Sequence, residues 1–205
     1  KILRGYYYYL FIDNYGDVPY VTIFKDAPEK PEKVSRATIF ENITQEISQE
    51  LQLIPSDQRS KYSVTRGMAY ALLAKLYLNA QVYTGTQQWA LAEKYCDSVM
   101  TMGYTLEGNA LGPFITLNET SSENIWTIPF DEELFKGFNL HMRTLHYNNN
   151  LTFDMSVGPW NGFAVTEKHY NTYSATDKRK AYFLVGQQYD IAGRPIMMLL
   201  LEIYL

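Results

Sequence analysis

A single cysteine, Cys96, is all the thiol chemistry in this chain, so no internal disulfide framework exists. It falls inside a stretch patterned as helix, where a buried small hydrophobe is its expected role. Charge is equally thin. Eighteen Lys and Arg stand against 22 Asp and Glu, a net charge of −4 without any basic or acidic block, which argues against a nucleic-acid partner. No apolar run of membrane length, secretory signal or lipobox cysteine is present. Lys1 stands where Met would begin a chain, and residues 196–201 form an apolar run with no cap or tail. Both ends read as cuts, so an internal fragment is expected and the missing targeting signals carry no information. Catalytic motifs are missing too: there is no Gly-x-Ser-x-Gly elbow, no P-loop and no Gly-x-Gly-x-x-Gly after a strand. The three histidines, His141, His146 and His169, lack the His-Glu-x-x-His spacing of a zinc site. No motif nominates the placed carboxylate pair of a glycosidase, and the chain is not read as an enzyme.

Aromatics are what the chain has in quantity: 18 Tyr, 10 Phe and 3 Trp. Tyrosine buries an apolar ring while keeping a hydroxyl for hydrogen bonding, which suits cores, interfaces and sugar-facing surfaces. The run Tyr6-Tyr7-Tyr8-Tyr9 cannot make one apolar stripe, because successive helical positions fan around the axis. A helix over residues 1–14 covered on several sides is therefore expected. It stops at Asn14-Tyr15-Gly16-Asp17, with Pro19 forbidding continuation.

After a connector punctuated by Pro19, Pro28 and Pro31, Ser35 or Thr38 caps a second helix reaching about residue 53. There Ile39, Phe40, Ile43, Ile47, Leu51 and Ile54 recur at three- and four-residue spacing, and Pro55 ends it. Thr65 caps a third helix over residues 66–82, where Gly67, Ala71 and Ala74 let another helix approach closely. A fourth runs over residues 88–101, with Trp89, Ala92, Tyr95 or Cys96, and Val99 on one side and Gly103 as the stop. The third and fourth helices make a hairpin the size of one tetratricopeptide-type unit, which needs a neighbouring hairpin to bury its face.

Beyond Tyr104 helical periodicity fades. A short strand at residues 125–130, limited to an edge by Pro129, is expected. An aromatic, Asn- and Gly-bearing loop over residues 148–162 follows. Thr166 caps a short helix to residue 173, a turn begins at Asp177, and residues 185–188 read as extended. The fold class is thus mostly α: tetratricopeptide-like helical hairpins over residues 1–104, with an irregular, loop-rich portion carrying short strands over residues 105–205. Irregular loops on a rigid frame are where binding residues concentrate.

Several of these segments, in order, resemble the SusD/RagB family of outer-membrane nutrient-binding lipoproteins. They are Arg4-Gly5-Tyr6-Tyr7-Tyr8-Tyr9 with Gly16-Asp17-Val18-Pro19, then Thr65-Arg66-Gly67-Met68-Ala69-Tyr70-Ala71-Leu72-Leu73-Ala74-Lys75-Leu76-Tyr77-Leu78. Residues 89–104, Ser122-Glu123-Asn124-Ile125-Trp126, Pro159-Trp160-Asn161-Gly162 and Asp177-Lys178-Arg179 continue the set, whereas residues 194–205 match nothing in it. The resemblance implies a non-catalytic, surface-exposed lipoprotein of the outer membrane, its lipid anchor outside this fragment. It would capture polysaccharide or oligosaccharide for a SusC-like TonB-dependent transporter. A helical-repeat adaptor binding a protein or peptide is the alternative reading.

From the residues themselves, Trp160 and Asn161 are the leading candidates for ligand contact. An indole in a Gly/Pro loop can stack on the C–H face of a sugar ring, and an adjacent amide offers a donor and an acceptor to vicinal hydroxyls. The competing reading makes Trp160 a plug into the core and Gly162 a turn. Tyr147 and Asn149, in Tyr147-Asn148-Asn149-Asn150, repeat the pairing of ring and amide, though Asn runs are also turn chemistry. Trp89 and Trp126 are expected in the core, and His169 on a helix surface. Asp131-Glu132-Glu133 offers oxygen ligands to a calcium ion, as some members of the resembled family have, but lacks the EF-hand pattern and reads first as a solvated cluster.

Overall fold

The computed structural model describes residues 1–23, 25, 27–54, 61–131 and 133–197. Pro55, Glu132 and the apolar run from residue 198 onward lie outside the described residues. Among those described, the chain forms eight α-helices, one two-stranded antiparallel sheet and short 3-10 turns. Two compact units emerge: Lys1–Glu107 with Leu117–Ile128, and Gly108–Thr116 with the described part of Pro129–Leu205.

The first unit is built on α2 (Arg36–Glu50), capped by the Ser35 hydroxyl, which accepts from the Thr38 amide. Its isoleucine stripe is inaccessible to solvent: Ile39, Ile43 and Ile47 are buried, with Phe40 alongside. Against this stripe lie α1 (Ile2–Tyr15), α3 (Arg66–Leu78) and α4 (Ala80–Thr84). α1 buries Ile2, Gly5, Tyr8 and Ile12, spaced three or four apart. Gly5 sits where α1 meets α2, since a Cβ there would come within 2.9 Å of Ile47 Cδ1. Burying each large side chain of this stripe contributes about 1.5–3 kcal/mol.

The tyrosine run divides its labour. Tyr8 is buried, and its hydroxyl accepts from the Val21 amide at 2.7 Å and donates to the Val21 carbonyl at 3.0 Å. That phenol straps the proline-rich connector onto α1. Arg4 assists by donating to the Thr22 carbonyl at 3.1 Å while it pairs with Glu46 of α2. Tyr6 meets Trp126 edge-on at 5.0 Å. Tyr7, however, is 56% exposed. Cover therefore comes from several sides, as expected: α2, α3, the connector and the Trp126 segment all meet α1, and Tyr7 lies on the face left open.

The strands also lie elsewhere than expected. β1 (Val18–Pro19) pairs antiparallel with β2 (Lys33–Val34), closing the connector on itself. Residues 125–130 make no strand: the Thr127 amide donates to the Lys61 carbonyl, and among the described residues no ladder continues from it. Residues 185–188 are not extended either, because Gly186 bends the chain at φ 75°.

α3 is capped by Thr65 as predicted, but the long third helix breaks at Asn79, leaving α4 as a separate turn. Gly85, in the left-handed region at φ 82°, stops α4. α5 (Trp89–Met100) packs along α3, with Tyr95 stacked on Tyr77 at 5.6 Å and on Tyr70 at 6.0 Å. Because Tyr95 takes the inward position, its neighbour Cys96 is exposed, contrary to expectation. Trp89 is 55% exposed, also contrary to expectation. It begins α5, and helical side chains lean toward the N-terminus, past the end of the packed surface. Trp126 does join the core, partly buried. At Gly67 it is the Tyr104 ring, rather than another helix, that fills the space a Cβ would need.

A reciprocal clasp closes the unit. The Glu107 carboxylate accepts from the Ser121 hydroxyl at 2.7 Å and the Ser122 amide at 3.1 Å, while the Glu123 carboxylate accepts from the Glu107 amide at 2.9 Å.

Removing the Tyr8 hydroxyl leaves two backbone groups of Val21 without their partner. Tyr8→Phe should destabilise the chain by about 1–3 kcal/mol in denaturant titration, with faster hydrogen exchange at the Val21 amide. Unchanged stability would refute this role. Tyr83 of α4 donates to Asp13 at 2.7 Å; burial first, and then that carboxylate, push its pKa above the ordinary tyrosine value. A group whose folded pKa is raised contributes stability that is intact below about pH 10 and lost as pH climbs through the folded value. The denaturation midpoint should therefore fall as pH rises above about 10, and fall less in Tyr83→Phe. An equally steep fall in the variant would contradict it.

Candidate ligand-binding site

The second unit has little core of its own. Met142, Ile196, Pro113 and Pro159 are its buried apolar residues among those described. Hydrogen bonds do much of the shaping. α6 (Leu140–Thr144) was not legible as a helix in the sequence; its last turn is closed by a distant strap. The Trp160 amide donates to the Met142 carbonyl at 2.6 Å and that of Asn161 to Leu145 at 3.0 Å. Those of Gly162 and Phe163 both donate to Arg143 at 2.8 Å. Carbonyls that a helix C-terminus leaves unpaired thus find their donors. Gly162 fits closely here, since a Cβ would lie 3.3 Å from the Arg143 oxygen.

The strap is anchored by its backbone, which leaves the Trp160 ring 50% exposed. The indole does not plug the core. Asn161 occupies the left-handed region at φ 51°, where Asn is among the better-tolerated non-glycine residues.

Residues 148–162, expected to be a loop throughout, contain α7 (Asn149–Thr152). Asn149 is only 3% exposed and organises this turn. Its carbonyl oxygen accepts from the His146 amide at 2.9 Å, and its amide nitrogen donates to the Thr152 hydroxyl at 3.3 Å. Tyr147 is 57% exposed, its ring edge-on to His146 at 5.5 Å.

A cavity of about 860 Å³ opens within this unit. Three separate stretches line it: residues 144–149, 161–170 and 182–188. Asn149 and Asn161 lie on its wall, whereas Trp160 and Tyr147 do not, although each adjoins a lining residue in the chain (Asn161 and His146). Phe163, Tyr170, Tyr182 and Phe183 give it aromatic walls; Gln188 and Glu167 add polar groups. α8 (Glu167–Tyr170), capped by Thr166, presents Glu167 and Tyr170, and Asp177 caps the 3-10 turn Lys178–Tyr182 that carries Tyr182. His169 packs on aromatic edges, 5.5 Å from Tyr173 and 6.2 Å from Phe183. Sequence reasoning missed the ring set because no local spacing links residue 163 to residue 183.

Asp131 is engaged elsewhere. Its carboxylate accepts from the backbone amides of Leu134 at 2.5 Å and Glu133 at 2.7 Å, which lower its pKa, the Leu134 bond foremost. Among the described residues no group of three His, Cys, Asp or Glu side chains is placed to hold a metal ion, nor is any helix long and apolar enough to cross a membrane.

With this geometry in hand, comparison with known proteins is informative. Residues 2–78 match a SusD-like family model described as starch-binding and associating with the outer membrane. The starch-binding protein SusD of Bacteroides thetaiotaomicron is 31% identical over 120 residues, which are 58% of this chain and 21% of that protein. A SusD superfamily protein of Bacteroides fragilis shares the fold with a TM-score of 0.74 at 17% identity, over 95% of this chain and 45% of its own. Surface glycan-binding protein A of Bacteroides thetaiotaomicron, solved with laminarihexaose, does so with a TM-score of 0.69 at 24% identity, over 87% of this chain and 39% of its own. Residues 2–78 are thus similar in sequence to the SusD-like family, and likeness of fold to a SusD superfamily structure runs along most of the chain. The chain spans about a fifth of the curated relative and under half of each solved one.

At position 161, Asn161→Ala places a Cβ-bearing residue in the left-handed region without the local hydrogen bonding of Asn. It should lose about 1 kcal/mol relative to Asn161→Gly in denaturant titration. Equal stability of the two variants would show that the turn is not set by this backbone angle.

Proposed function

We propose that this chain is the capture portion of a non-catalytic glycan-binding protein at the outer-membrane surface. The match of residues 2–78 to a family described as starch-binding and outer-membrane-associated carries this reading. In finer detail, the protein is a surface lipoprotein whose anchor lies outside these residues, and it passes polysaccharide or oligosaccharide to a SusC-like TonB-dependent transporter. The half-exposed Trp160 and Tyr147 rings provide flat apolar faces; Asn161 adjoins Trp160 in the chain, and Asn149, two residues from Tyr147, shapes the turn that displays that ring. Binding on such surfaces is weak for its area, because stacking gains must offset the ordering of a flexible saccharide. The helical first unit supplies the rigid surface for the transporter, and no step of bond cleavage is required of any residue.

Affinity electrophoresis against a panel of soluble polysaccharides tests this reading. One glycan should retard the protein, and Trp160→Ala should weaken that retardation about tenfold, the scale of losing one aromatic anchor. The variant should fold normally, because the strap is held by its main chain. Retardation unchanged by the substitution would move the contact away from Trp160. A complete lack of retardation would favour a protein or peptide ligand.

A further inference from the structure

We infer that the cavity of the second unit is a further saccharide subsite, adjoining the Trp160 face through Asn161, and that it selects uncharged sugars over acidic ones. This rests on the glycan-capture reading and assigns it a place and a preference. Among the described lining residues Glu167 is the sole Asp, Glu, Lys or Arg. Lys180, whose ammonium lies 4.4 Å from the centre of the Tyr170 ring, is not part of the lining. Its amine is engaged there and donates to the Tyr173 carbonyl at 3.3 Å. A uronate or other acidic residue entering the cavity therefore meets a carboxylate and, among the described lining residues, no lysine or arginine to neutralise it, His146 being the one basic side chain on the wall. A neutral pyranose meets aromatic faces and the Asn161 amide, whose paired donor and acceptor match adjacent hydroxyls, while Gln188, its nitrogen donating to the Val185 and Gly186 carbonyls, offers its oxygen as acceptor. At about 860 Å³ the cavity lies within the ordinary range for ligand sites and has room for more than one sugar ring.

Two carboxylates about 4 Å apart in water repel by an energy worth roughly a five-fold change in affinity, more where solvent is excluded and less at high salt. The experiment is a calorimetric titration of the chain with laminarihexaose and maltohexaose, each also supplied with its primary alcohols oxidised to uronates. The neutral forms should bind at least about five-fold more tightly than the oxidised ones at low salt. Glu167→Gln should narrow that gap, and Phe163→Ala, at an exposed ring, should weaken the neutral forms. Neutral binding that persists unchanged in both variants would overturn the cavity as a subsite while leaving glycan capture intact. Oxidised forms binding as tightly as neutral ones would overturn the selectivity. Binding of none of the four probes would count against the glycan reading itself, and with it this site.

Discussion

Everything in the helical unit is referred to the dry isoleucine stripe of α2. Ile39, Ile43 and Ile47 lie a turn apart on one face, and α1, α3 and α4 meet the same helix. Because the stripe is continuous, a shift in any one neighbour opens space beside the others, and closely packed interiors resist this at the scale of a methylene group. The polar links follow from that packing. Tyr8 can hold both backbone groups of Val21, and Asp13 can meet Tyr83, because the helices carrying them are already set in place.

Much of this was legible in the sequence, for a local reason. Thr65 and Thr166 cap the helices they were expected to cap, Ser35 rather than Thr38 caps α2, and a turn does begin at Asp177. Such chemistry acts within four residues, so one sequence suffices to read it. Which face a helix turns inward is a different matter. The stripe on α5 allowed either Tyr95 or Cys96 to point inward, and the choice depends on Tyr70 and Tyr77 in α3. α6 was illegible for a similar reason, since its closing donors lie at residues 160–163. The cavity was least legible of all, assembled from three stretches with no common spacing. The family match at residues 2–78 covers the first two motif segments on which the resemblance rested; the later ones fall beyond it.

The second unit follows a different logic from the first. Few apolar side chains are buried, and its shape comes from backbone bonds and from amides engaged in turns. Asn149 illustrates this: both ends of its amide serve the turn at residues 146–152, and its surface forms part of the cavity wall. The same residue type serves architecture and lining at once. That is why a run of asparagines in sequence does not by itself separate a turn from a ligand contact.

The strap across α6 has an evolutionary consequence. Its four donors are main-chain amides, and of its residues only Asn161, by its backbone angle, and Gly162, by its close approach, are constrained in type. The outward ring at position 160 is free to vary without loosening the helix end beneath it. The ring the strap displays and the atoms that hold it thus belong to different parts of the same four residues, and substitution at the ring can proceed without rebuilding the turn beneath it.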